Sequence, residues 1–563
     1  MKYTYYFIIF ILLSVGTSYA QKENYLNLTV TGKDSLETSI IREVFNKSKF
    51  KSYDSLTTYV SKKIITLQKK GFIDLQKKPG EKISDSVLTI TIYLNKKYEH
   101  LTIYYDQKQL PIATIKQISK VYTDSTFALP FEKITTSLLQ INEFYSNSGN
   151  PFTSVTLKNI RKRDSEVTAL LQIQKSKQRK TNKVIVKNYL KFPRSFLKYY
   201  SGLKNGKTFS KDLIVEKSKL LDNLQFVNNI KEPEVLFTKD STIVYLYLDK
   251  VPANVFDGFI GFSNDSESQD FELNGNINVT LLNNLNFGEE LFINYKANGG
   301  EQQRFKISTK LPYLFKSPVG INAGLTIFRQ DSTFVTTDQQ LNLTYQATPK
   351  SSITLGYERS TSNSLLDTLA PTNIIDYTSN FVKGGVTYQI PRSHNFFPIK
   401  LGIQTSISTG NRNSNNTTIN QQKGNFILSY TPALNSRNFI YFENQSALIL
   451  SDSVFTNELY RFGGLTSIRG FEENSINSSL YSVFRTEYRY LLSSNLYIHS
   501  ILDFAYFEDN TTNLSSNLST VGFGIAFNTK TGIFKLQFAN GKTDETNFKF
   551  SNTKVHLSLL ARF

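Results

Sequence analysis

The chain has 563 residues, a formal charge of +19, no cysteine, no tryptophan and an aromatic fraction of 13%. Without cysteine, disulfides, thiolate chemistry and lipidation of an N-terminal cysteine are excluded. The positive charge is scattered rather than massed in one stripe, which argues against nucleic acid and fits solubilisation or nearness to anionic lipid.

Residues 1–20 read as a secretory signal peptide. Lys2 supplies the charge, Tyr5 to Val15 the short apolar core, and Ser18-Tyr19-Ala20 a small-x-small cleavage site. No later stretch approaches ~18 uninterrupted apolar residues, the length a membrane helix needs. A chain of this kind crosses a membrane only as a closed barrel, because sheets without edges satisfy their own backbone groups in lipid.

The next part repeats. Tyr53, Phe131 and Phe209 are spaced 78 residues apart, each ahead of an apolar pattern at helical spacing. The first helix passes Leu56, Val60, Ile64 and Leu67 to Gly71, and the second passes Ile134, Leu138 and Ile141 to Gly149. The third passes Leu213, Val215, Leu220 and Leu224. Strand-like runs follow at Val87 to Tyr93, Val167 to Ile173 and Thr242 to Leu248, and shorter ones open the units at Leu26, Leu101 and Lys183. Strand, two helices and two strands in about 75 residues resembles the polypeptide-transport-associated (POTRA) domain, or else a generic α+β spacer. The units are placed at 21–95, 96–178 and 179–250, and an exposed sheet edge in them could receive an incoming chain by strand addition.

From residue 251 to 563 the pattern alternates with period two. Sixteen strands are counted, the first starting near Val255 and the last near Lys554. Short connections such as Pro349 to Ser351 follow even strands. Longer polar ones follow odd strands, among them Asp331 to Thr337, Asn411 to Gln422 and Ser451 to Ser479. An even strand number with short turns at one end and long loops at the other predicts a sixteen-stranded antiparallel transmembrane β-barrel. In the last strand Val555, Leu557, Leu559, Ala561 and Phe563 share the apolar face, with His556, Ser558 and Arg562 opposite. The first strand carries Gly258 and Gly261, which weaken pairing and mark either a lateral seam or relief of curvature.

Within the segment Ser451 to Ser479 lies Arg461-Phe-Gly-Gly-Leu-Thr-Ser-Ile-Arg-Gly-Phe471. By strand parity Arg485, Glu487 and Arg489 of one neighbouring strand, and His499 and Asp503 of the next, face the lumen. Tandem POTRA-like units, a sixteen-stranded barrel, the Arg469-Gly470-Phe471 tip and a terminal Phe563 together resemble the BamA and TamA superfamily of outer-membrane assembly factors. The three-unit arrangement is similar to TamA-like members. The family's Phe-x-Asp-x-Gly pattern is changed here, with Ile501 for the phenylalanine and Ala505 for the glycine.

That resemblance implies a loop folded back into the barrel, with Arg469 paired to Glu487 and Asp503, and with Gly463, Gly464 and Gly470 letting the backbone turn. It implies a C-terminal strand signal at Leu557, Leu559 and Phe563. It also implies an outer-membrane location with the repeats in the periplasm. The expected activity is to receive unfolded outer-membrane or secreted polypeptides and promote their insertion; the alternative is a polypeptide transporter of the two-partner secretion type. Neither needs a cofactor or catalytic residue, so no enzyme is expected. Membrane lipid and unfolded chains are the expected partners, with accessory periplasmic proteins or lipoproteins left open.

Overall fold

The computed structural model describes residues 25–562 apart from 85, 165, 265–270, 298–301, 367–372, 393 and 530–531. The signal-peptide reading and Phe563 lie outside the described residues.

The chain divides into two compact units, one holding the first two repeats and the other the third repeat with the barrel. Each repeat uses the same device: its opening strand pairs in parallel with its last strand. The pairs are Leu26–Thr31 with Val87–Tyr93, His100–Tyr104 with Glu166–Gln174, and Lys183–Asn188 with Thr242–Lys250. A parallel pair requires a crossover, and the helices supply it. In the first repeat Tyr53–Lys69 is capped by Ser52, whose hydroxyl accepts from the Ser55 N–H, and buries Leu56, Val60 and Leu67 against Leu28, Val30, Ile90 and Ile92. In the second repeat Ile134–Asn147 buries Ser137, Ile141 and Tyr145.

The third repeat departs from the expected pattern. Its first helix is only a π-helical turn, Phe196–Tyr200. Its second, Lys211–Leu220, buries Ile214 and Ser218, with Leu221 next to them, whereas Leu213 is exposed. The apolar residues 213, 215, 220 and 224 offered a plausible stripe. The buried face carries Ile214, Ser218 and Leu221 instead, and the Ser218 hydroxyl is satisfied by the Asn229 side chain of the adjacent strand.

The barrel closes with sixteen strands. They are β1 (Val255–Asn264), β2 (Phe271–Leu282), β3 (Glu290–Ala297), β4 (Gln302–Leu311), β5 (Val319–Gln330), β6 (Phe334–Thr348), β7 (Ser351–Ser364) and β8 (Tyr377–Pro391). The second half comprises β9 (Ile399–Ser414), β10 (Thr417–Tyr430), β11 (Asn438–Ser451), β12 (Leu480–Ser493), β13 (Leu496–Asp509), β14 (Leu514–Asn528), β15 (Gly532–Lys542) and β16 (Lys554–Arg562). Leu341, Leu343, Ile353, Leu355, Val382, Leu502, Phe504 and Phe523 stand exposed on the outside, while their strand neighbours face in, as alternation requires. Leu557 and Leu559 of β16 belong to this outer face.

Two expected long loops are not loops. β5 and β6 are joined by residues 331–333 alone, and β9 and β10 by Asn415 and Asn416, both with positive φ. That Asn-Asn pair has the backbone signature of a type I′ hairpin turn. The flanking residues, such as Asn411, Asn413, Thr418 and Asn420, are polar on both strand faces and so read as loop, yet they remain in ladder register.

Closure is uneven. β1 runs in register with β2 from Val255 to Asn264, but among the described residues it meets β16 only at Val255↔Arg562 and Phe256↔Ala561. Neither Gly258 nor Gly261 lies in those two pairs; they pair with Ile277 and Asn274 of β2. A Cβ on Gly258 would stand 2.2 Å from the Asn276 carbonyl oxygen, so its smallness serves the approach to β2.

The third repeat packs directly on the barrel rim. The Asn283 amide donates to the Tyr189 hydroxyl at 2.8 Å, and that hydroxyl donates to Asn286 at 2.7 Å. Gly288 has a φ of 77°, and the Phe196 ring fills the place where its Cβ would be.

Candidate functional site

Residues 452–479, between β11 and β12, enter the lumen. Strands Tyr460–Phe462 and Ile476–Ser478 pair antiparallel and carry the segment 463–475 as a hairpin tip. Gly463 and Gly464 open that tip with φ of 121° and 89°. Side chains at those positions would collide with the Glu472 carbonyl at 2.4 Å and the Glu473 carboxylate at 2.0 Å, so glycine is required at both.

Arg469 stands at the end of the tip, 2% exposed. Its Nε and Nη2 donate to the two Asp503 oxygens at 2.8 and 2.6 Å, a bidentate fork, and its backbone N–H donates to Asp503 at 3.2 Å. Its Nη1 pairs with Glu487. The other Glu487 oxygen accepts from Arg489 Nε at 2.6 Å, and Arg485 pairs with Glu443 on β11. Three guanidinium groups thus face three carboxylates within one buried patch. This balance matters because an unmatched buried charge is costly.

The backbone of the tip is held as well. Thr520 donates to the Arg469 carbonyl at 2.6 Å, and the Gly470 N–H approaches His556 Nε2 at 3.5 Å. Gly470, with φ of 79°, comes so close to β15 that a Cβ would lie 2.7 Å from the Gly541 nitrogen. The Phe471 ring covers Gly541 in turn, and a Cβ there would be 2.6 Å from it. Phe471 and the buried Ile468 and Phe462 join Val483, Ala505, Phe507 and Leu518 in an apolar core inside the barrel. Ala505 lies in this core, and Ile501 is fully buried in the same strand.

A second attachment was missed at the sequence level. On the arm leading to the tip, Glu458 pairs with Arg412 of β9 and accepts from Gln421 of β10 at 3.1 Å. Arg412 is 1% exposed, donates to the Ser453 carbonyl and hydroxyl at 3.2 and 2.9 Å, and lies 3.7 Å over the Phe455 ring. Asn457 donates to Ser362 of β7 at 2.8 Å, and Arg461 lies over Phe328 and Phe334 of β5 and β6. The signal for it is parity: Gly410, Arg412 and Ser414 continue the inward row of β9, although polar residues on both faces give the segment the look of a loop.

No protein-family model matches the sequence, and no curated protein does. Solved structures match. BamA from Haemophilus ducreyi lacking POTRA domains 1-3 is 16% identical with a TM-score of 0.51, covering 82% of this chain and 99% of that one. The chain has the fold of BamA. CdiB from Acinetobacter baumannii is 14% identical at a TM-score of 0.48, covering 83% and 91%, and CdiB from Escherichia coli 12% at 0.49, covering 88% and 96%. Those two scores are too low to add to the fold assignment. The repeats resemble POTRA domains, each with a parallel pair of its opening and last strands.

Proposed function

We propose that this protein is a TamA-like assembly factor of the bacterial outer membrane. Three periplasmic POTRA-like repeats, at 21–95, 96–178 and 179–250, receive unfolded polypeptides, and the barrel promotes their insertion. The observation that carries this reading is a barrel whose lumen is entered by a latched loop while its seam, among the described residues, holds by two registered pairs. A lumen narrowed by an anchored loop is poorly suited to steady conduction. A short seam is suited to exchanging one strand pairing for another, since ladder pairing is the main cohesion between strands in lipid.

On this reading the Arg469, Glu487 and Asp503 lock holds the tip to β12 and β13 while Glu473 of the same tip pairs with Lys296 of β3 at 3.2 Å, so the β1–β16 seam opens beneath a tip attached on both sides of it. The incoming strand then pairs where β1 and β16 part, and its hydrogen bonds replace those lost. No nucleotide or catalytic group is called on, because the client gains stability from the strand pairs it forms.

The test is depletion followed by profiling of the outer-membrane proteome. Broad loss of β-barrel proteins is the expected result. Loss of a single exported protein would favour a two-partner secretion transporter instead, and an unchanged proteome would refute both.

A further inference from the structure

The barrel rim that carries the third repeat also borders an open groove of about 720 Å³, a size suited to an organic ligand. Leu285 and Phe287 of the β2–β3 turn and Leu314 and Phe315 of the β4–β5 turn form its apolar wall. Phe315 is 97% exposed, and Leu285 and Phe287 are 69% exposed each. Lys191, Arg194 and Lys198 of the repeat and Lys316 of the turn complete the lining. The one carboxylate there, Glu289, is occupied by the backbone N–H groups of Leu285 and Phe287 at 2.5 and 3.0 Å. Among the described lining residues four cations thus stand against one carboxylate whose oxygens are already engaged.

The β4–β5 turn shows that this exposure is maintained. Tyr313, Phe315 and Lys316 all have φ between 51° and 57°, a conformation that bulky side chains seldom adopt. The repeat clamps the turn in that state: Phe196 packs edge-on to Tyr313 at 4.8 Å, Tyr199 stacks on Tyr313 at 5.7 Å, and the Tyr199 hydroxyl donates to the Lys316 carbonyl. A strained backbone that drives a phenyl ring outward has no benefit if water is the only neighbour. Beside acyl chains it has one.

We infer that this groove binds one anionic phospholipid of the leaflet facing the repeats. Its acyl chains lie against Leu285, Phe287, Leu314 and Phe315, and its phosphate is held by Arg194, Lys198, Lys191 and Lys316. The inference rests on the membrane-embedded reading above. A free phosphate would use the cations and leave the apolar wall bare; a zwitterionic lipid would use the wall and leave the cations half answered.

Native mass spectrometry of the full-length protein in neutral detergent provides the test, with phosphatidylglycerol and phosphatidylcholine of identical chains as probes. The wild type should retain phosphatidylglycerol preferentially. Lys198→Gln should reduce that preference by about five-fold, and Arg194→Gln/Lys198→Gln/Lys316→Gln should abolish it, each near-surface cation contributing about that factor. Phe315→Ser should weaken both lipids alike. Equal retention of the two lipids by the wild type, or an undiminished preference in the triple variant, would overturn the inference. Displacement of phosphatidylglycerol by glycerol phosphate alone would do so too, since it would mark a simple anion site. Heat-dependent gel mobility confirms that each variant is folded. A chain that never enters liposomes removes the membrane reading and this site with it, whereas an inserted chain lacking the preference removes the site alone.

Discussion

Arg469→Ala should release the loop from the barrel wall, and the size of the effect follows from what it leaves behind. The substitution removes a bidentate fork to Asp503, stranding a carboxylate that is 0% exposed, and leaves Glu487, 5% exposed, with Arg489 as its remaining cation. Breaking a buried pair from one side costs about 3–5 kcal/mol, so the docked-to-released ratio should fall roughly a hundred- to a few-thousand-fold. Because the chain has no cysteine, the variant Ile468→Cys offers a unique thiol at a position fully buried beside the lock. Its maleimide labelling rate reads the released fraction when reclosing outpaces labelling. In that background Arg469→Ala should raise the rate by the factor above. Arg469→Ala with Asp503→Ala should raise it by less than the two single effects combined, because the stranded charge is gone. A rate within about two-fold of the parent would mean that the apolar core around Phe462 and Ile468 holds the loop, and that the charge pair does not.

Other outcomes follow from the same geometry. Phe256→Cys/Ala561→Cys joins facing residues of β1 and β16; oxidation should stop client insertion in reconstituted vesicles and reductant should restore it, and full activity when oxidised would refute a moving seam. Arg412→Gln, which frees buried Glu458, should expose residues 453–459 to limited proteolysis while thiol labelling at Ile468→Cys changes less than it does with Arg469→Ala. In the first unit, Lys162 and then Tyr98 hydrogen-bond Asp74 and hold its carboxyl below the usual range. A depressed carboxylate stabilises above its unfolded value and loses that contribution as pH falls, so proteolytic clipping near residues 95–100 should rise in wild type below about pH 4. Asp74→Asn should show the raised clipping at pH 7 already; the effect should be modest, under about 1 kcal/mol, because the pair is partly exposed.

The barrel was legible because its strands alternate over long stretches and its outer face is apolar. The same alternation places Glu487 and Asp503 on one interior, one strand apart. Where both strand faces are polar, as at Asn411 to Asn420, the hydrophobic signal vanishes although the ladder continues, and Arg412 was lost with it. The third repeat shows a different limit: the positions 213, 215, 220 and 224 made a fair stripe, yet the buried face carries Ile214, Leu221 and the polar Ser218, which bonds Asn229. The partners Thr520, Gly541 and His556 gather at the tip from strands far along the chain. No local pattern could have announced them.

The loop is tied to separate arcs of the cylinder, its arm to β5 through β10 and its tip to β12 through β16 and, through Glu473 and Lys296, to β3. Such a member works as a strut. If the cylinder widens at the seam, the arc ending in β16 swings relative to the other, and the strut must stretch, pivot or let go at one foot. The tip can therefore register a gap at the seam without touching the client, through tension relayed along its own backbone.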